Sequence, residues 1–342
     1  MSLVIAETDE ADLDEVRRLL LGGFEEDHEY PGFLPDVLRW KYFSANDGFS
    51  YAKSFVARHN AEIVAHIGLC YRLFISGGPN PIQYLAVHPI DWYSSPKHPG
   101  AGASLMLKVF DHSPIQYVIG GTAIAKRAHK LMGYDLVAPL TLYRKMLRPF
   151  YPLLRERGNL ARRLARSIRN AAYLRHSPTR TRRNIKLIEV DSFDSSVDRF
   201  SHAADSTVTS GRGYQLLNHF LNFPGGGFSG YLVQHQQICI GIAVLRRWAA
   251  GGGWHGSIAD CMLATDDDEC WSSVYCALVQ ELSLYQVEIV TTYASMENRS
   301  RQLTNAGFHP YTRSDVFLRD PDRVLAKTSP LQLSKLDADH AY

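Results

Sequence analysis

Lys97-His98-Pro99-Gly100-Ala101-Gly102 stands between an apolar, strand-like run and the amphipathic stretch ASLMLKVF. Small residues at Gly100 to Ala103 would let backbone N–H groups at a helix start approach phosphate oxygens closely, and Lys97 would add a point charge. Glycine-rich turns before helices are common, so the pattern takes its meaning from the elements around it. Two ionisable residues precede it on the strand-like run, His88 before Pro89 and Asp91 in Ile90-Asp91-Trp92. An imidazole or a carboxylate there has the chemistry of a general base. Farther along, Thr265-Asp266-Asp267-Asp268-Glu269 carries four consecutive acids. Such a run repels anions and suits helix N-capping better than it suits a metal site.

The chain that must position these residues has 342 amino acids, 45% hydrophobic and 21% charged. That length suits two domains of ordinary size, and the composition excludes a disordered, collagen-like or coiled-coil chain. An acidic first segment and the lack of a long apolar run predict neither signal peptide nor membrane span, and a cytoplasmic location. Five cysteines without CxxC spacing predict reduced thiols and no zinc site.

The two halves resemble each other. Residues 3–16 and 186–200 each read as a short strand, an acidic turn and a helix start. LRWKYFSANDG from Leu38 aligns without gaps on LLNHFLNFPGG from Leu216, each a helix stopped by a glycine turn. Alternating hairpins follow at 54–69 and 231–245, then a strand carrying an acid, Asp91 or Asp260. A helix, a further strand and a helix ending in Gly133-Tyr134 or Gly307-Phe308 complete each unit. Two copies of one α+β unit with a mixed sheet are predicted.

This order of elements, with the glycine turn at 100–102, resembles the GNAT acyltransferase superfamily. The resemblance covers residues 1–146 well and about 185–320 more weakly. It implies two GNAT-like domains in tandem, at 1–146 and 185–325, a basic helical linker at 147–184 and a C-terminal tail at 326–342. It also implies that acyl-CoA lies between two diverging strands, contacting Trp92, Tyr93, Ser94, Lys97, His98, Gly100, Ala101, Gly102 and Ala103. Lys97 stands where the family has Arg or Gln, and the turn is about two residues shorter than the family's. Backbone N–H groups near Trp92 to Ser94 would face the oxyanion, with Asp91 or His88 relaying the amine's proton. His129 takes the place of the family's leaving-group tyrosine, and Leu303 is its counterpart in the second unit. Glu26, Trp40 and Tyr42 fall where the superfamily binds its acceptor. The acids at 266–269 replace the phosphate turn of the second unit, so only the first is expected to bind acyl-CoA, without a metal.

Charge is divided unevenly. From Leu147 to Arg183 there are eleven arginines against the single acid Glu156, a balance of +10, so a chain of net +2 carries about −8 elsewhere. Leu160, Leu164, Ile168 and Ala172 recur every fourth residue in this stretch. The spacing predicts an amphipathic helix whose apolar stripe packs on a domain, ending before Ser177 and Pro178. An anion-facing role for the arginines is the other reading. The expected activity is a CoA-dependent N-acyltransferase acting on a primary amine, with an amino group of a nucleotide-linked sugar of polysaccharide pathways as best acceptor. The alternatives are a peptidoglycan-type aminoacyl transferase using charged tRNA, although nucleic acid is a less expected partner, and a non-enzymatic acyl-CoA-binding protein. Monomer and homodimer both fit.

Overall fold

The computed structural model describes the chain except residues 1–2, 45–46, 78–79, 152, 154–158, 176–182, 202–206, 251–252, 326–329 and 339–342. The first unit runs β1 (Val4–Glu7), α1 (Leu13–Phe24), α2 (Pro35–Phe43), β2 (Ser54–His59), β3 (Glu62–Ser76), β4 (Gln83–Ser94), α3 (Ala101–Phe110), β5 (Ile115–Ile119), α4 (Ala123–Leu131) and β6 (Asp135–Met146). Helix α5 (Leu160–Arg175) follows; Ser177 and Pro178, expected to stop it, lie outside the described residues. The second unit runs β7 (Ile185–Val190), β8 (Val208–Ser210), α6 (Tyr214–Leu221), β9 (Phe228–His235), β10 (Ile238–Ala250), β11 (Gly253–Leu263), α7 (Asp268–Leu284), β12 (Val287–Ala294), α8 (Glu297–Asn305) and β13 (His309–Arg319), matching the first from α2 onward, while a 3-10 turn at Ser195–Phe200 and β8 stand where the first has α1. A short strand, β14 (Leu331–Gln332), comes last.

Local sequence explains the first unit. A capping box between Asp9 and Asp12 opens the turn before α1, which buries Val16, Leu20 and Leu21 along one face. The left-handed Glu25 (φ +57°) ends α1. Strand β3 is apolar on both faces because both are covered: Leu69 and Tyr71 face α3, whereas Ile63 and Cys70 face α1 and α2. Truncating Leu20, fully buried in that second cluster, to alanine would cost roughly 2–5 kcal/mol.

The sheet is α+β and mixed, with the order β1-β2-β3-β4-β5-β13-β6-β12-β11-β10-β9-β7. The last strand of each unit is exchanged. Strand β13 pairs with β5 (Val316 opposite Ile119), and β6 pairs with β12 (Leu142 opposite Tyr293), while β6 and β13 pair with each other at the centre. The segments 1–146 and 185–325 are therefore joined through one continuous sheet.

Residues 331–338, expected in a tail, are built into the core. Strand β14 pairs with β8, which in turn pairs with β3. Beyond it Asp337, fully buried, binds Arg212 of the second unit and lies 3.7 Å from Arg72 of the first. Arg72 also donates to Leu336 O (2.8 Å). This segment can hold three buried charges because the Asp337 carboxylate, Leu336 O and Ser334 Oγ supply acceptors to the two guanidinium groups.

Candidate active site

Strands β4 and β5 are parallel but pair only at Ala86 with Ile115 and Val87 with Gln116. Beyond that point β4 runs on to Ser94 with its β5-facing edge open. A bulge interrupts its other edge: Gly68 faces Ile90 and His66 faces Tyr93, so Asp91 and Trp92 share one place opposite Ile67. Asp91 has φ +48°, an unusual conformation for a non-glycine residue, and this turn re-aims the backbone amides that follow.

The next helix start carries no side-chain cap. Gly100 is the N-cap of α3 with φ +90° and no side-chain cap, and a Cβ added there would meet no atom within 4 Å. Ala101 N turns back to His98 O (3.2 Å), and Ser104 N is the first to reach Gly100 O (2.9 Å). The amides of Gly102 and Ala103 lie in the first turn and have no intrahelical acceptor, so they project from the positive end of the helix dipole. A Cβ on Gly102 would lie 2.9 Å from Ser94 Oγ and 3.2 Å from Trp92 Nε1. Glycine is needed here for close packing of the helix on β4. Trp92 Nε1 donates to Gly102 O (3.1 Å), and its ring lies 5.5 Å from that of His129, linking β4 to α3 and α4. Ser94, Gly100, Ala101, Gly102 and Ala103 are thus gathered at one place, with Lys97 exposed beside them and His98 against the ring of His59.

Other expected residues stand elsewhere. The ring of Tyr93 lies against Gly23 and Phe24 of α1, so only its backbone belongs to the cradle side. Asp91 accepts from Lys41 Nζ (2.9 Å) and from Tyr42 OH (2.6 Å). Burial opposes its ionisation, but Lys41 and Tyr42 outweigh that and hold the carboxyl below the usual range. A carboxylate bound in this way is a weak base. His88 is buried and stacked on Tyr117 (4.8 Å), three residues from the bulge. Trp40, expected at the acceptor, is part of the packing between units, donating to His219 O (2.9 Å) and stacked on the His219 ring at 4.1 Å. Tyr42 is buried with its hydroxyl on Asp91. Glu26 is exposed in the connection after α1.

His129 faces the gap from α4, packed among Trp92, Tyr134 and Phe317. Burial alone pulls its pKa down to about 4, so the imidazole is neutral at pH 7 and is no store of a proton for a leaving thiolate. Tyr134 offers no ready replacement, since its buried hydroxyl donates to Gln116 Oε1 (2.6 Å). Sequence reasoning missed Lys41, although it sits inside the LRWKYF helix, and His66, whose Nδ1 lies 3.2 Å from Asp91 O. An apolar helix face that carries a lysine was the available signal.

The second unit is capped and ion-paired at the matching place. Asp267 caps α7 by accepting from Cys270 N (2.7 Å) and pairs with Arg183 (2.9 Å), while Asp268 pairs with Arg301 (2.8 Å). Strands β11 and β12 part after Ser257 and Thr291, but the gap holds only about 30 Å³. Arg299 lines it, 3.3 Å above the Trp271 ring. Asp260, the counterpart of Asp91, is held by Arg212.

A wide groove of about 920 Å³ opens at the N-terminal end of α2, between the units. Leu34 and Val37 form one side; Arg246, Arg247, Trp248 and Tyr285 form the other.

No protein-family profile and no curated protein matches the chain. Solved structures do. A GCN5-related N-acetyltransferase from Anabaena variabilis shares 10% identity at a TM-score of 0.62, covering 93% of this chain and 72% of that one. A probable N-acyltransferase from Enterococcus faecalis shares 11% at 0.62, with 96% and 75% covered. Saccharomyces cerevisiae N-myristoyltransferase with bound myristoyl-CoA shares 12% at 0.59, with 93% and 83% covered. At such identities the likeness establishes the fold, and the fold is that of the GNAT proteins.

Proposed function

We propose that the chain is an acyl-CoA-dependent N-acyltransferase that holds the acyl carrier in its first unit only. One observation carries the reading: α3 begins at Gly100 with no side-chain cap, whereas the equivalent helix α7 is capped by Asp267. Amides of Gly102 and Ala103 would hold the pyrophosphate, with Lys97 adding charge. Backbone amides after the Asp91 bulge would stabilise the oxyanion as the amine attacks the thioester carbonyl and the C–S bond breaks. Asp91 is ion-paired and His88 is buried, so the amine loses its proton to solvent. His129 shapes the wall of the gap as a neutral ring.

The groove supports the finer acceptor assignment. It lies at one end of α2, whose other end anchors Asp91, a span of about 13 Å. Burial brings Arg246 down to about 10, which leaves it cationic at neutral pH. Two guanidinium groups among aromatic rings suit an anionic, ring-bearing acceptor such as a nucleotide-linked amino sugar. Acyl-CoAs presented with a panel of amino sugars, free and nucleotide-linked, test this through release of free thiol. Amine-dependent thiol release, greatest with nucleotide-linked acceptors, is the expected result. Stoichiometric acyl-CoA binding without turnover on any amine would overturn the enzymatic reading.

A further inference from the structure

Helix α5 is mounted inside out. Its polar residues Arg163, Ser167 and Asn170 face the protein, with Asn170 Nδ2 3.5 Å from Pro149 O and Arg163 bonded to Leu153 O. The apolar stripe expected to pack on a domain is outward: Leu160 is 67% exposed, Leu164 48% and Ile168 60%. Steps of four residues advance the azimuth by only about 40°, so these three side chains form one strip along the helix. Arg162 and Arg169, seven residues apart, share one azimuth about 100° beyond Ile168, across the exposed Ala161, Ala165 and Ala172, and are themselves exposed.

The geometry points to an anionic membrane surface as the partner of this face, with α5 lying in the interface plane. An exposed face that runs from a leucine and isoleucine strip across small alanines to arginines fits the boundary between acyl chains and acidic headgroups. Three occupants compete for such a face, and charge and polarity separate them. A second copy would bring a linker with the same balance of +10 against this one, which is repulsive. A nucleic acid would accept the arginines but offers the aliphatic strip no matching surface. An acidic bilayer satisfies both features. The chain outside the linker carries about −8, so such a bilayer would attract this side and repel the rest.

Flotation of the full chain with vesicles tests this, using phosphatidylcholine alone and phosphatidylcholine with about one-third phosphatidylglycerol. Binding to the acidic vesicles at least about tenfold tighter than to the neutral ones is expected, weakening as salt rises from about 0.1 to 0.5 M. L164E/I168E and R162E/R169E should each lose about tenfold or more while keeping the parent melting temperature, because all four side chains are exposed. Equal binding to both vesicle types, or full binding by L164E/I168E, would overturn the proposal. So would a micromolar dimer dissociated by L164E/I168E, or RNA binding in place of vesicle binding.

Discussion

The ammonium of Lys41 lies 2.9 Å from the Asp91 carboxylate, and Arg212 holds Asp260 the same way in the other unit. In each, an acid at a strand bulge is tied to a cation from the helix region that covers it. The bulge recurs too, since Val244 faces Asp260 and Leu245 faces Ile258 on β10 and β11. A feature shared by both units belongs to the fold.

Asp91→Asn should therefore act on stability first. The Lys41 and Asp91 side chains are 3% and 11% exposed, and breaking such a pair on one side costs about 3–5 kcal/mol. Urea unfolding reads this directly. A variant of unchanged stability that has lost all turnover would make Asp91 the base after all.

Acid should unfold the protein from a higher pH than its carboxylates require. Burial pulls His66 and His129 down to about 4 and His219 to about 3, against an ordinary 6.5. The unfolded chain thus takes up these protons first as pH falls. Their stabilising effect is complete above about pH 6.5 and is lost toward pH 4, at up to about 1.4 kcal/mol per pH unit for each. Urea midpoints at pH 7.5 and 5.5 check it: a clear fall is expected, and equal midpoints would refute the neutral, buried state of these rings.

His129→Phe should leave the pH profile of kcat unchanged between about pH 6 and 9, because a group with pKa near 4 does not titrate there. The ring volume is nearly kept, so kcat should fall less than about tenfold. Loss of an alkaline limb in the variant would restore His129 as a proton donor.

Asp337→Asn should loosen both units together. Its carboxylate binds Arg212 and faces Arg72, so the variant leaves two buried guanidinium groups short of charge at a cost of about 3–5 kcal/mol. Hydrogen exchange should rise in β3 and β11 alike. Faster exchange confined to β14 would show that the terminal segment does not couple the units.

Much of the architecture was legible because strand alternation, glycine-ended helices and the cradle turn are local signals. The helix start at Gly100 and a helix N-cap within the acids at 266–269 are visible in neighbouring residues. The exchange of β6 and β13 was not, because strand partners of similar apolar pattern are interchangeable at the sequence level. Lys41, Arg72 and Asp337 escaped for a related reason: a buried charge is explained by a partner tens to hundreds of residues away. Helix α5 shows the opposite error, where periodicity identified the stripe but gave no sign of which face meets the protein.

The central claim, one acyl-CoA bound at the start of α3, is tested most directly by titration calorimetry of CoA on the parent chain and on Ala103→Glu. Ala103 is exposed in the first turn, where glutamate favours the helix, so the variant should keep its fold while placing a carboxylate in the phosphate site. One CoA per parent chain is predicted, with at least about a hundredfold weaker binding by the variant. Two CoA per chain, or equal affinity in the variant, would contradict the account.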